Sequence, residues 1–398
     1  NQPVEYMRCR CDRTLREHTV TKPMKTLERE ILLTAAHHGA SLIIDAIDPL
    51  GTMDSHAFER VGEAFSRQIS YEPYMNRGEM YSDVAVYFDS CTMFSRDGSD
   101  RYNKTCAIGA VKKLVSAHIP VSVIANGSMK DLNRYKMIIA PSLTDFDNDE
   151  PLKLIDYVKE GGILYLSGKS DSRLIKELLG GKITGILYPD APKNRVQAGA
   201  RTYISPKREC EDIFTEFNER YPLSLTYHLP IMEYDKEGVL ATVALPYAAP
   251  DNNREFAAIH SCPPWKTTDI PAFIIKSYGR GTVIWCAAEL EYDERSAFKT
   301  IFTNIVKRYV EPKYKITAGE AIESVIFEDN GSILISLCDL QYDPYKINKP
   351  AKISFKSEKP PVYAKRLRNG CNIELSYADG LVNAELSFDD FEMFEFKF

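Results

Sequence analysis

The sequence has no apolar run approaching the roughly 18 residues that a membrane-crossing helix needs, and no block of lysine and arginine. A chain of net charge −6 without a basic run offers no electrostatic footprint for DNA or RNA. It does not open on Met, and no signal-type apolar core follows Asn1-Gln-Pro. Such a start is expected of a piece cut from a longer polypeptide. A cleaved signal peptide would leave a similar start, so bacterial cytoplasm, periplasm and secretion stay open. A disulfide framework is also missing: the nine cysteines are odd in number and scattered through apolar segments, as buried thiols are. Cys9-x-Cys11 has no second Cys or His pair at zinc spacing, so neither a metal nor a cofactor is expected. The Asn-x-Ser/Thr triplets at Asn103, Asn126 and Asn330 matter only where a glycosylation machinery is met.

The chain is 398 residues long, 44% hydrophobic and 27% charged, enough for two or three domains. Residues 1–76 alternate strand and helix. VEYMRCRC (4–11) reads as a strand. MKTLEREILLTAAHHG (24–39) has apolar residues at helical spacing and a glycine stop. SLIIDAID (41–48) reads as a buried parallel strand. Asp54 caps a second helix with Ala57, Val61, Ala64, Phe65 and Ile69 on one face. Two β/α units cannot close a barrel, so their apolar faces expect neighbours from elsewhere.

Residues 77–311 begin a new α/β series. Strands are expected at 82–88, 120–125, 132–141, 163–168 and 282–290, with helices at 103–119, 150–162 and 296–310. That spacing predicts a mostly parallel, flavodoxin-like sheet flanked by helices. About 180–260 reads as irregular and proline-rich. Residues 312–398 show alternation without a helical period, and Asn330-Gly331 marks a hairpin, so a small all-β sandwich is expected.

One stretch poses a chemical question. KEGGILYLSGKSDS (159–172) reads as helix end, strand and tight turn, the layout of a nucleophile elbow. Gly168-Lys169-Ser170-Asp171-Ser172 satisfies only the first half of Gly-x-Ser-x-Gly. An amidotransferase needs a cysteine there, yet Cys106 and Cys210 lie elsewhere. A Ser170 nucleophile would need a base such as His228 or His260. The competing reading gives Ser167 and Ser170 to the turn backbone, and the half-motif favours it.

A second candidate lies where the first segment's strands end. Arg10, Asp12 and His18 follow the first strand, together with Arg13, Arg16 and Glu17. Asp45 and Asp48 close the second. Planar, charge-assisted hydrogen bonds from such residues suit a hydroxyl-rich sugar. The same residues suit a solvated loop, and Asp48 before Pro49 suits a turn. Asp45 and Asp48 are too close in sequence for the two carboxyl groups of glycoside hydrolysis. Tyr342, Tyr345, Tyr363 and Tyr377 read as core or cross-strand residues rather than a sugar platform. The acidic run at 144–150 has no fixed cation-ligand spacing.

The order of these segments, with "DVAVYFDS", "LNRYKMIIAPSL", "LIDYVKEGGILYLSGKS" and "YGRGTVIWCAAEL" in the α/β part, resembles multidomain bacterial glycoside hydrolases, the β-galactosidases of family forty-two and related glycosidases. "LLTAAHHGASLIIDAIDPLGTMDSHAFERVGEAFSRQI" resembles the last strand and helix of their catalytic barrel. The resemblance implies a barrel end at 1–76, an amidotransferase-like trimerisation domain at 77–311 and a terminal β-domain at 312–398. It implies a homo-oligomer, a carbohydrate substrate for the parent enzyme, and catalytic acids on barrel strands outside this chain. Such a piece is expected not to hydrolyse anything. The alternatives are a self-sufficient hydrolase or amidotransferase-like enzyme using Ser170, and a carbohydrate-binding module.

Overall fold

A computed structural model describes residues 4–11, 20–47, 49–89, 102–143, 149–188, 202–225, 229–248, 254–255, 262–341 and 348–398. The fold is mixed α/β, with one large mixed sheet and separate antiparallel sheets. Contacts divide it into two compact units. One holds Asn1–Ser82, Val115–Pro120 and Pro312–Phe398; the other holds Asp83–Leu114 and Val121–Glu311.

The first unit opens with β1 (Glu5–Cys9), α1 (Met24–Ala36), β2 (Ala40–Ile44), α2 (Ser55–Ser66) and β3 (Glu79–Met80). In α1, Leu27, Ile31, Leu32, Ala35 and Ala36 recur at helical spacing and are all buried. The expected glycine stop is shifted by one residue: His38 takes the left-handed position, at φ 54°. Asp54 caps α2 by accepting from the His56 amide at 3.0 Å. Of its expected apolar face, Ala57 and Ala64 are buried, whereas Ile69, beyond the helix end, is exposed. β1 and β2 pair in parallel, as expected, with Met7 opposite Leu42 and Arg8 opposite Ile43. The expected burial of β2 is not found, since Leu42 is 39% exposed and Met7 beside it 56%.

The second unit contains β4 (Val84–Phe88), α3 (Tyr102–Ser116), β5 (Val121–Ala125), β6 (Met137–Ala140), α4 (Glu150–Lys159), β7 (Ile163–Ser167), the short α5 (Ser172–Leu174), β8 (Lys182–Ile186), β9 (Thr202–Pro206), α6 (Glu211–Phe214), β10 (Leu223–Leu225), β11 (Pro230–Glu233), β12 (Val239–Pro246), β13 (Pro264–Tyr278), β14 (Gly281–Cys286) and α7 (Ser296–Tyr309). Its nine-stranded sheet runs β10-β9-β12-β13-β14-β7-β6-β4-β5. The run from β14 to β5 is parallel and the rest antiparallel, so the sheet is less parallel than the sequence suggested. The cause is a tight turn at Gly279-Arg280, which brings β13 back against β14. The stretch read as irregular, about 180–260, supplies β8 to β12. The alternating burial of β12 shows that its period-2 signal was present. α4 ends at Gly161-Gly162, as expected, and a Cβ on Gly162 would fall 2.2 Å from the Tyr157 ring.

The chain returns to the first unit through β15 (Tyr314–Thr317), β16 (Ile322–Asp329), β17 (Ser332–Asp339), β18 (Lys349–Lys356), β19 (Tyr363–Arg366), β20 (Ser376–Ala378), β21 (Leu381–Phe388) and β22 (Phe391–Lys397). They form two antiparallel sheets, β15-β18-β21-β20 and β19-β22-β17-β16-β3. Tyr314, Ile353 and Phe355 from one meet Ile335, Phe394 and Phe396 from the other in a common core. Segments expected as separate domains are joined here. β3 extends the second sheet through Met80 opposite Phe327. Leu32, Ala36 and Tyr71 cover its other face at Leu334, Phe391 and Met393. The five-stranded sheet is therefore buried on both sides, which is why β22 is buried along nearly its whole length.

Candidate functional site

The carboxyl ends of β6, β7 and β14 lie side by side, the usual place for a ligand in an open α/β sheet. Ser142 follows β6, Ser167 ends β7, and Glu289 and Glu291 follow β14. Ser167 Oγ donates to Glu291 Oε1 and accepts from the Ser142 amide at 3.2 Å. Tyr165 donates to Glu291 Oε2 at 3.1 Å, and Ser142 Oγ donates to Glu289 Oε1 at 2.7 Å. From α3, Lys113 Nζ donates to the Glu291 carbonyl at 2.7 Å. Gly168 sits at φ 57°, where a Cβ would fall 2.7 Å from Glu289 Oε1.

Burial governs the chemistry of this cluster. It pushes the Glu291 carboxyl up to about 7, helped by the Glu289 charge and opposed by the bonds from Ser167 and Tyr165. Burial also pushes the Cys106 thiol far up, reinforced by Glu291 and Glu289. That is the reverse of what a thiolate nucleophile requires. The Cys210 thiol, likewise buried, is pushed up to about 12 and donates to the Lys207 and Leu240 carbonyls. Ser167 and Glu291 have no exposed surface.

Ser170 is placed as the turn reading expects. It is buried, and its Oγ donates to the Ser167 carbonyl at 3.0 Å. Asp171 caps α5 by accepting from the Arg173 amide at 2.9 Å. His228 and His260 lie outside the described residues. Ser170→Ala is expected to cost about 1 kcal/mol, the worth of one turn hydrogen bond, read from the denaturation midpoint. Intact-mass measurement after treatment with a serine-directed fluorophosphonate is expected to show no adduct at Ser170.

In the first unit, Arg10 and Asp45 are brought together. Arg10 Nη2 meets Asp45 Oδ1 at 2.7 Å, and Nη1 donates to Thr21 Oγ1 at 2.7 Å. The hydrogen bond to Asp45 raises the guanidinium's affinity for its proton against the effect of burial. Asp12, His18 and Asp48 lie outside the described residues. Beside the other end of β1 is a cavity of about 860 Å³, lined by Tyr6, Arg8, Glu30, His37, His38 and Phe327 among others. His38 stacks on Phe327 with ring centroids 3.5 Å apart. Burial, then the neighbouring His37, lowers its pKa to about 4, so it stays neutral near pH 7. The tyrosines of the β-sheets are structural where described: Tyr363 donates to Glu395 at 3.1 Å and Tyr377 to the Ser357 carbonyl at 3.2 Å. Tyr342 and Tyr345 lie outside the described residues.

Sequence reasoning raised Ser167 beside Ser170, as elbow or as turn residue, and did not single out Glu291. The available signal was the pair of acids in AAELE, directly after a strand that is apolar throughout.

Comparison with known proteins connects these observations to glycosidases. Residues 99–187 match a family model described as the β-galactosidase trimerisation domain. No curated protein matches the chain. Among solved structures, α-L-fucosidase isoenzyme 2 from Paenibacillus thiaminolyticus aligns over 98% of this chain and 60% of its own, with TM-score 0.78 and 17% identity. A β-galactosidase from Bacillus circulans sp. alkalophilus aligns over 95% and 53%, with TM-score 0.64 and 13% identity. A family 42 β-galactosidase from G. stearothermophilus aligns over 95% and 52%, with TM-score 0.63 and 14% identity. The chain thus spans between about half and three fifths of these structures. The expected resemblance to family forty-two stands by the family model over 99–187. Over the rest it stands as a likeness of fold.

Proposed function

We propose that this chain is the non-catalytic C-terminal portion of a glycoside hydrolase. Its α/β segment is a flavodoxin- or amidotransferase-like domain that assembles copies of the protein. The match of residues 99–187 to a trimerisation domain carries this reading. Two structural features support it. Ser167 and Glu291, at the heart of the strand-end cluster, are closed to solvent, which suits a scaffold rather than a reaction centre. The β1–β2 pair, meanwhile, is left open. Parallel strands are normally covered on both faces, yet Tyr6 is 43% exposed and Met7 56%. In our reading β1, α1, β2 and α2 are the closing β/α units of a barrel. Further units of the parent would then cover the sheet and fill the cavity beside α1. Residues 312–398 would be its terminal β-sandwich, and Arg10, Asp45 and the neighbouring Asp12, His18 and Asp48 would lie near the sugar subsites at the strand ends.

Light scattering combined with glycosidase assays tests this. The expected result is a particle three times the 45.1 kDa chain mass and no turnover of nitrophenyl galactoside or fucoside. A monomer at every concentration would overturn the assembly role. Turnover lost in Ser170→Ala would restore the self-sufficient hydrolase.

A further inference from the structure

The dipeptide Asn-Gly occurs three times, at Asn126-Gly127, Asn330-Gly331 and Asn369-Gly370. Asparagine is a thermally labile residue, and a following glycine, having no Cβ, lets its amide nitrogen approach the asparagine side chain. The fold treats the three copies differently. The Gly127 amide donates to Glu150 Oε1 at 2.6 Å, while the Asn126 side chain donates to Glu150 Oε2 at 3.1 Å and to Tyr87 Oη at 3.0 Å. The Gly370 amide donates to the Arg366 carbonyl at 2.9 Å, and Asn369 Oδ1 accepts from the Cys371 amide at 3.0 Å. Asn330-Gly331 is the loop between β16 and β17, closed by Asp329 opposite Ser332. Both loop residues are exposed, and Gly331 takes a φ of 72°. The bonds at this tip come from other groups: the Asn330 backbone amide donates to Asp329 Oδ1 at 2.9 Å, and the Gly331 carbonyl accepts from the Phe398 amide at 2.9 Å. Among the described residues, neither the Asn330 side chain nor the Gly331 amide makes a hydrogen bond.

We propose that Asn330 is a site of spontaneous deamidation and isoaspartate formation, and that the fold protects Asn126 and Asn369 from the same reaction. The Gly331 amide gives its proton to a solvent base, and its nitrogen attacks Asn330 Cγ. A new N–Cγ bond forms, the bond from Cγ to the side-chain nitrogen breaks, and that nitrogen takes a proton from solvent and leaves as ammonia. Water then opens the cyclic imide at either carbonyl. One product is aspartate; the other is isoaspartate, in which the chain runs through the former side-chain carboxyl. Attack requires a glycine amide free to lose its proton. At Gly127 a carboxylate holds that proton and at Gly370 a carbonyl does, so each must first break a hydrogen bond that Gly331 lacks. The bond to a charged acceptor is the stronger of the two, so Asn126 is the better protected. Either product adds a negative charge beside Asp329, whose carboxylate Arg77 Nε holds at 2.9 Å. Isoaspartate also lengthens the backbone of a loop whose ends the Asp329–Ser332 pair fixes. The site does not depend on the glycosidase reading.

The test is a timed peptide map of the full chain kept in heavy-oxygen water at mildly alkaline pH, with isoaspartate read by its enzymatic methylation. Asn330 is expected to convert roughly tenfold faster than Asn369, the rate cost of breaking one hydrogen bond at the upper end of the usual range, and faster still than Asn126. In concentrated urea the three rates should converge, because the dipeptide is the same and the fold is gone. Equal rates in the native chain, or an Asn330 that converts only in urea, would overturn the proposal. Two variants separate the causes. Gly331→Ala should slow conversion at Asn330 by crowding the attacking nitrogen. Glu150→Ala, which frees the Gly127 amide, should speed conversion at Asn126 and leave Asn369 unchanged. An Asn126 rate unmoved by Glu150→Ala would overturn the protection assigned to that carboxylate.

Discussion

Arg67→Ala is expected to lower the stability of the first unit by about 3 kcal/mol, at the lower end for breaking a buried ion pair. Arg67 sits just beyond α2 and grips two acids. It meets Asp390 as a fork, Nη1 to Oδ2 at 2.6 Å and Nη2 to Oδ1 at 2.9 Å, and it meets Glu28 of α1 at 2.8 Å. Lys25 adds a contact to Glu28 at 2.8 Å. Removing the guanidinium leaves two largely covered carboxylates with only the more exposed Lys25 ammonium, 2.8 Å from Glu28 and 3.6 Å from Asp390, to offset them. The measurement is the urea midpoint of the chain, with an unchanged slope. Arg67→Lys should fall between, because an ammonium keeps the charge but not the fork. In a double-mutant cycle with Asp390→Ala, the combined loss should be less than the sum.

The same site predicts an acid dependence. Burial tends to raise the Asp390 carboxyl, but Arg67 and then Lys25 outweigh it and hold it down at about 2. A depressed carboxylate contributes stability that is present above its unfolded value near 4 and lost as pH falls through about 2. Arg67→Ala should therefore lose less stability than the parent over that interval.

Glu291 has the opposite sign. The second unit is expected to be about 3 kcal/mol less stable at pH 8 than at pH 4.5 on account of this one group. Its folded value of about 7 stands above the ordinary 4.5, first through burial and then through the Glu289 charge. The native state keeps the proton that the unfolded chain gives up. Its contribution is fully present below about 4.5 and is lost as pH rises through about 7. Glu291→Gln removes the titration. It should be less stable than the parent at pH 4.5, because its amide group presents donors where Ser167 and Tyr165 also donate. At pH 8 it should equal or exceed the parent. Denaturation midpoints of the two proteins between pH 4.5 and 8 check this: parallel curves would remove Glu291 as the cause.

Local signals in the sequence carried much of this structure. The 3.6-residue period placed α1, α4 and α7 to within a few residues. The apolar runs VAVYF and ILYLS marked strands buried on both faces. Gly161-Gly162 follow the end of α4, where Gly161 takes a φ of 121° and any side chain on Gly162 would meet the Tyr157 ring. The elbow at Ser170 was also legible as architecture, since half a motif and an acid capping the following turn are local facts. The strands between 180 and 260 were harder to see. They are short, bounded by prolines, and pair with strands that are not their immediate neighbours in the chain, β8 with β11 and β9 with β12.

What the sequence by itself determined were elements whose stabilising contacts lie within a turn or two of the chain. What only the tertiary structure decided were partners. Ser167 meets Glu291 across 124 positions, and Arg67 meets Asp390 across 323. β3 joins a sheet built from the far end of the chain, and α1 covers that sheet's second face. Apolar alternation says that a face must be buried, but it does not say against what. That choice is made by shape and charge fit among all the surfaces the chain brings together, and no window of sequence contains it.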